Sequence, residues 1–359
     1  MNDTLTAIDE PAALEQLHEL GCTDGLPVIV PTEDRVARMV LASGQPGEAL
    51  LGEMGPAMGL ATVEKVAVAA VMAGCLPDYM PIVLAGIKGI LNPSFDLTEM
   101  QGTTHCTAPL MIVNGPVRHS HGPIACSFGA LGPGFRANAS IGRALRLAMI
   151  NIGGAKPGVS DMALLGHPGK FTYCLGEDEE HSPFEPLHVA RGFTPECSTV
   201  TVVGAEAPHS VMFSGDADDR DAYKHLLKVL AIGLANLATN NAILRHGAAV
   251  VALNPDHANL LAAAGLDRND IAAALVEGCT HSLAAVRELA PAFTNPNSTD
   301  LTQPLAAFAD PADLLILMAG GSGLYSMVMP SWCAGPHRNT AVTVAVETDF
   351  VCDVPNQVS

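Results

Sequence analysis

Apolar residues recur at helical spacing over residues 9–20, behind a proline-containing start, and Gly21 ends the run. The pattern predicts a short amphipathic helix. DGLPVIVPT then reads as a turn and a β-rich extended segment, strand-like between two helices, with Pro31-Thr32 opening the second helix over 33–41. A third helix is predicted over 62–74, with Thr62 at its cap and Glu64 in its first turn. CLP joins it to a fourth over 78–91, where Pro81 sits in the first turn and its missing N–H costs little. The apolar run 110–113 reads as a buried strand ending at Asn114-Gly115-Pro116. Helical spacing returns over 139–152, with Arg143 and Arg146 among the apolar positions.

Over residues 153–195 no period persists. Gly, Pro and charge dominate, including the acidic run GEDEEHSPFEP, and a segment of this length is a functional loop or a linker. Beyond it come a strand over 199–203, a long helix over about 221–238, a strand over 248–253, helices after Pro255 and Asp267, a strand over 314–318 ending in AGGSG, and a last strand near 340–346. Strands alternating with helices predict an α/β fold whose parallel or mixed sheets are covered by helices. We expect two such α/β lobes, residues 1–195 and 196–359, with the active site in the crevice between them. Ligands in open α/β sheets gather outside the carboxyl ends of strands, where both Asn114-Gly115-Pro116 and the 319–323 loop would lie.

Composition narrows the function classes. Apolar residues make up 48% of the chain and charged ones 15%, so burial is not limiting and the chain should fold alone. A net charge of −19 repels phosphodiester backbones and anionic lipid, which argues against nucleic acid and membrane as partners. The N-terminus MNDTLTAIDEPAALEQ carries no basic and apolar export pattern, and we expect a cytoplasmic protein. Its nine cysteines are odd in number and form no C-x-x-C pair, so disulfides, zinc ribbons and thioredoxin-like motifs are disfavoured. A chain this apolar is expected to hide surface in a homo-oligomer, a homodimer first.

Candidate chemistry centres on TTHCTAPLMIVNGP. His105-Cys106 directly precedes a predicted buried strand, where a loop at a sheet edge presents it. A neighbouring imidazole or helix dipole can generate a nucleophilic thiolate, although adjacent residues on an extended chain point to opposite faces, so His105 need not be the base. The alternative is a cysteine packed as a small hydrophobe. HGPIACSFGALGPGFRANASIGRAL places a glycine-rich loop before a helix, with Arg136 and Asn138 as side-chain donors for a carboxylate or small phosphate. It matches neither glycine motif of nucleotide-binding folds. Cys126 heads that loop and, facing Cys106, would supply a second thiol for proton transfer. His105, His119 and His121, together with the thiols, offer ligands for zinc or iron as an alternative to a cofactor-free site. Glu177 in the acidic run and Gly321 in AGGSG are candidate substrate contacts. Gly278-Cys279-Thr280-His281 is similar to an element of two-cysteine racemases, but it ends a helical pattern where theirs follows a strand, and it reads as a chance match.

Several segments together, DGLPVIVPT, TTHCTAPLMIVNGP, GPGFRANASIGRA and ALLGHPGKFTYCLGEDEEHSPFEPLHV, resemble a largely uncharacterised bacterial family related to UGSC-type (seleno)proteins. The resemblance covers most of residues 20–215. The tetrapeptide that names those proteins is absent, so no redox role is carried over from the name, and the resemblance implies an enzyme-like core and little more. The expectation is a cytoplasmic cysteine-dependent lyase or hydrolase acting on a small carboxylate-bearing molecule. Cys106 would be nucleophile or acid/base, assisted by His105 and Cys126, with Asn114, Arg136 and Asn138 holding the anionic end. The alternatives are a metal-dependent lyase or hydratase and a non-catalytic protein that binds a small anion or metal ion.

Overall fold

The computed structural model describes residues 5–120, 123–216, 218–334 and 337–347. The helices form where spacing and caps place them. Asp9 caps helix Glu10–Glu19, Thr32 caps Glu33–Ala42, and Thr62 caps Val63–Ala73, which Gly74 closes in the left-handed region at φ 86°. DGLPVIVPT is extended but joins no sheet; its Ile29 N–H instead bonds Met72 O at 3.2 Å.

Strands β1 (Leu50–Met54) and β2 (Gly59–Thr62) form an antiparallel hairpin. Strands β3 (Ala108–Asn114), β4 (Cys174–Gly176) and β5 (Thr199–Ala205) belong to a first sheet, and β6 (His209–Met212) and β7 (Ala249–Leu253) to a second. The pair β8 (Thr280–Ser282) and β9 (Pro304–Ala306) stands apart, while β10 (Leu314–Met318) and β11 (Tyr325–Met329) complete the second sheet. After the short pair β12 (Cys333–Ala334) and β13 (His337–Arg338), β14 (Val342–Ala345) returns to the edge of the first sheet. The orders are β14-β5-β3-β4 and β10-β7-β11-β6; both are mixed, with β3 parallel to β4 and β7 parallel to β10.

The period of two along each strand decides what the sheets cover. On β3 and β5, Met111, Val113, Val200 and Val202 face the core built by helices Val63–Ala73, Met80–Leu91 and Arg136–Asn151. The alternate residues Leu110, Ile112 and Val203 meet Val250, Leu315, Leu317 and Met329 of the second sheet. That sheet's other face, with Val251, Ile316 and Val328, packs on helices Ala222–Leu234, Pro255–Ala263 and Arg268–Gly278. The result is an α/β fold of four layers: helices, sheet, sheet, helices. Helix Met80–Leu91 approaches its sheet closely because Gly86 and Gly89 face it: a Cβ would fall 2.5 Å from Met111 and 2.7 Å from Val202.

Two expectations change here. The division at residue 195 does not follow the sheets, since β5 and β14 lie beyond it and hydrogen-bond into the sheet that holds β3. The space between the sheets is filled by apolar side chains rather than left as a crevice, so both sites described below lie at sheet ends. Among the described residues no helix is long and apolar enough to cross a membrane.

Candidate active site

The amino end of β3 brings together groups far apart in sequence. His105 and Cys106 occupy the turn between helix Leu97–Gly102 and β3, where the His105 N–H bonds Thr103 Oγ1 at 3.2 Å. The loop that follows helix Arg136–Asn151 runs beside this turn: Met162 N–H bonds Gln101 O and Leu164 N–H bonds Thr104 O, each at 3.0 Å. That pairing carries the Gly166 N–H onto Cys106 Sγ at 3.2 Å. The thiol is half-buried and accepts a fixed amide donor.

Because β5 runs antiparallel to β3, its end delivers Glu206 to the same place, and His105 Nε2 lies 3.0 Å from Glu206 Oε1. Tyr173 fixes this segment by donating its hydroxyl to Glu206 O at 2.8 Å. His167 accepts the Gly169 N–H on Nδ1 and bonds Ala205 O through Nε2, so it is a neutral clamp for the GHPGK turn, its pKa lowered by burial. The turn in turn sets Lys170, whose ammonium reaches Thr107 O at 3.3 Å and Asp161 Oδ1 at 3.0 Å. Arg146 takes the other oxygen of Asp161 at 2.7 Å. Burial would raise the Asp161 pKa, but Lys170 and Arg146 outweigh it and hold the carboxyl below its ordinary range. Burial also lowers Lys170 despite Asp161, and the ammonium interacts electrostatically with Cys106. Two cations share the Asp161 carboxylate, and the Glu206 carboxylate at His105 is the second anion of this centre.

The carboxyl end of β3 is a different centre. The seven residues of the strand span about 20 Å, and Asn114 and Cys126 lie at its far end from Cys106. Asn114 Nδ2 donates to Glu177 at 2.6 Å and to Glu179 at 2.8 Å, and Gly115 N–H reaches Glu179 at 2.7 Å. Glu177 is fully buried, takes the Leu187 N–H at 2.7 Å, and pairs with Arg268 at 3.1 Å; burial nonetheless raises its pKa. Arg118, also buried, grips Glu180 with both terminal nitrogens at 2.7 and 3.1 Å and holds that carboxyl down to about 2. His119 bonds the same Glu180 at 3.0 Å. Cys126 is half-buried, its pKa raised by burial and by Asp178, and its carbonyl accepts the Gly320 N–H at 2.8 Å.

The structure therefore divides the residues singled out by sequence. It does not bring Cys106 and Cys126 together, because β3 lies between them. Arg136 and Asn138 fall inside helix Arg136–Asn151 rather than in the loop before it. Arg136 bonds Gly74 O at 3.0 Å, and buried Asn138 spends its amide on the backbone of Ala125, Ala130 and Cys174. Gly321 lies under the Phe128 ring, which a Cβ there would strike, so its smallness serves packing. His105 and His119 sit at opposite ends of β3 and cannot share a metal, and His121 is outside the described residues. Among the described residues no group of three or more His, Cys, Asp or Glu is arranged to hold a metal ion. Cys279 is buried at the end of helix Arg268–Gly278, and burial pushes its thiol up to about 12.

Glu206, Lys170, Asp161 and Arg146 were missed as site residues. The one local signal was Gly-His-Pro-Gly-Lys, a turn carrying two titratable side chains. A larger cavity, about 1480 Å³, lies away from both centres between helices Glu10–Glu19 and Glu33–Ala42. Its cations are engaged, Arg35 by Glu10 and Lys65 by Leu60 O, and its Cys22 thiol is raised by burial. The chain matches no protein-family model, no curated protein and no solved structure. The functional reading rests on this geometry.

Proposed function

We propose that the protein is a cysteine-dependent enzyme of lyase or hydrolase type acting on a small carboxylate-bearing molecule at the amino end of β3. Cys106 is the nucleophile or proton-transfer thiol, and His105, held by Glu206, carries a proton to or from the reacting group. Lys170 and Arg146, rather than Arg136 and Asn138, supply the positive field for the substrate's anionic end, with Lys170 the nearer to the thiol. The observation that carries this reading is the Lys170 ammonium, held by Asp161 within electrostatic reach of a half-exposed thiol that accepts a fixed amide N–H. In a chain of net charge −19, two cations gathered beside a thiol favour an anionic group there over most of the surface.

Two alkylating agents that differ only in charge test it without a known substrate. Iodoacetate should outpace iodoacetamide at Cys106, while the partly exposed Cys22 and Cys126 react faster with the neutral reagent. If iodoacetamide is also the faster reagent at Cys106, the anion-binding role of Lys170 and Arg146 fails.

A further inference from the structure

Behind Lys170, between helix Arg136–Asn151 and the start of β3, lies a small internal cavity of about 10 Å³ lined by Gln101, Thr107, Gly142, Arg146, Met149 and Lys170. Gln101 is 1% exposed, and neither its Oε1 nor its Nε2 has a hydrogen-bond partner in the protein. Arg146 Nη1 is equally unpaired; Nη2 alone is taken by Asp161. Three buried polar atoms left this way at one cavity would be costly in a folded protein. Gln101 asks for a donor and an acceptor, and Arg146 for an acceptor. A carboxylate is too large for a space that holds about one water-sized sphere, and a halide accepts without donating.

We propose that this cavity is a site for one bound water, which accepts from Arg146 Nη1 and donates to Gln101 Oε1. The water ties helix Leu97–Gly102, whose chain leads directly into His105-Cys106, to helix Arg136–Asn151. It thereby fixes the turn that presents the thiol, and through Arg146 and Asp161 it connects to the hydrogen bond that holds Lys170. No step of the reaction runs through it, so its test is independent of turnover.

A high-resolution crystal structure of the protein should show one peak within about 2.6–3.2 Å of both the Gln101 amide and Arg146 Nη1. No peak, or a Gln101 amide bonded directly to protein groups, overturns the proposal. So does an anomalous signal in the cavity after a bromide soak, which would mark a halide site. Gln101→Met conserves length without the amide, and its melting temperature should fall, because the water loses its acceptor on Gln101 and is held by Arg146 alone. A rise, as expected for a dry cavity relieved of two unpaired atoms, would refute the bound water.

Discussion

At the carboxyl end of β3, the carboxylates of Glu177, Glu179 and Glu180 are met by Arg118, Arg268, Asn114 and the N–H groups of Gly115 and Leu187. At the amino end, Lys170 and Arg146 divide one carboxylate, and a thiol and a His-Glu pair stand partly open beside them. The first centre closes on itself: its carboxylates are taken up by internal donors, and Arg268 ties the loop after β4 to a helix on the outer face of the second sheet. The second centre keeps a thiol and a His-Glu pair partly open beside its cations. Buried charges closed into a network fix which surfaces pack together, whereas a partly open reactive group beside a cation is what a ligand can use. Acidic residues are plentiful in both halves of the chain, so how far the groups at each end of one strand are closed off distinguishes the centres better than residue type does.

The strongest way to break this comparison is on catalysis. With the first substrate identified, Cys106→Ala should lower kcat/KM by about 10³-fold or more, while Cys126→Ala at the closed end stays within about threefold. Equal losses would mean that the two centres act as one. Stability should show the reverse. Glu177→Ala strands Arg268 as an unpaired buried charge and should cost about 3–5 kcal/mol in denaturant unfolding, with the reactivity of native Cys106 unchanged. A third measurement sharpens the anion site: Lys170→Met should cut the ratio of iodoacetate to iodoacetamide rates at Cys106 by about tenfold. An unchanged ratio would remove Lys170 from that role.

The smallest effect is in acid. Arg118 holds Glu180 at about 2, below the ordinary carboxyl pKa of about 4.3. Its contribution is therefore present above that ordinary value and is lost as pH falls through the folded value. The decline in melting temperature between pH about 4 and 2 should be shallower in Glu180→Gln. The change is modest because Glu180 is partly exposed and water screens the pair. An identical slope would show that Glu180 contributes nothing.

Local rules made much of the fold legible. Caps at Asp9, Thr32 and Thr62 and the left-handed Gly74 are short-range signals, and the helices form where those residues put them. Strands buried on both faces, such as VTVV and LLILM, were recognisable as apolar runs, but such runs do not say which neighbour covers each face. The face-to-face stacking of two sheets and the return of β14 to the first sheet were therefore hidden, as was β4 inside a Gly- and Pro-rich stretch. Of the site, His105 and Cys106 could be read because they adjoin a strand. Glu206 and Lys170 could not, because an antiparallel register and a loop running beside the 101–106 turn bring them in from distant positions. Arg136 was misread because its helix begins three residues earlier than the spacing indicated.

The most direct test of the central claim sets the thiols at the two ends of β3 against each other. Native protein would be alkylated at neutral pH and the labelling of each cysteine peptide followed by mass spectrometry, with and without a chelator. Cys126 is raised by burial and Asp178, and buried Cys75 and Cys174 are pushed up to about 12, whereas Cys106 accepts an amide N–H and interacts with the Lys170 ammonium. Cys106 should label at least about tenfold faster than Cys126, chelator or not. Labelling of Cys106 no faster than that of Cys126, or only after chelation, would contradict the assignment of the active site to the amino end of β3.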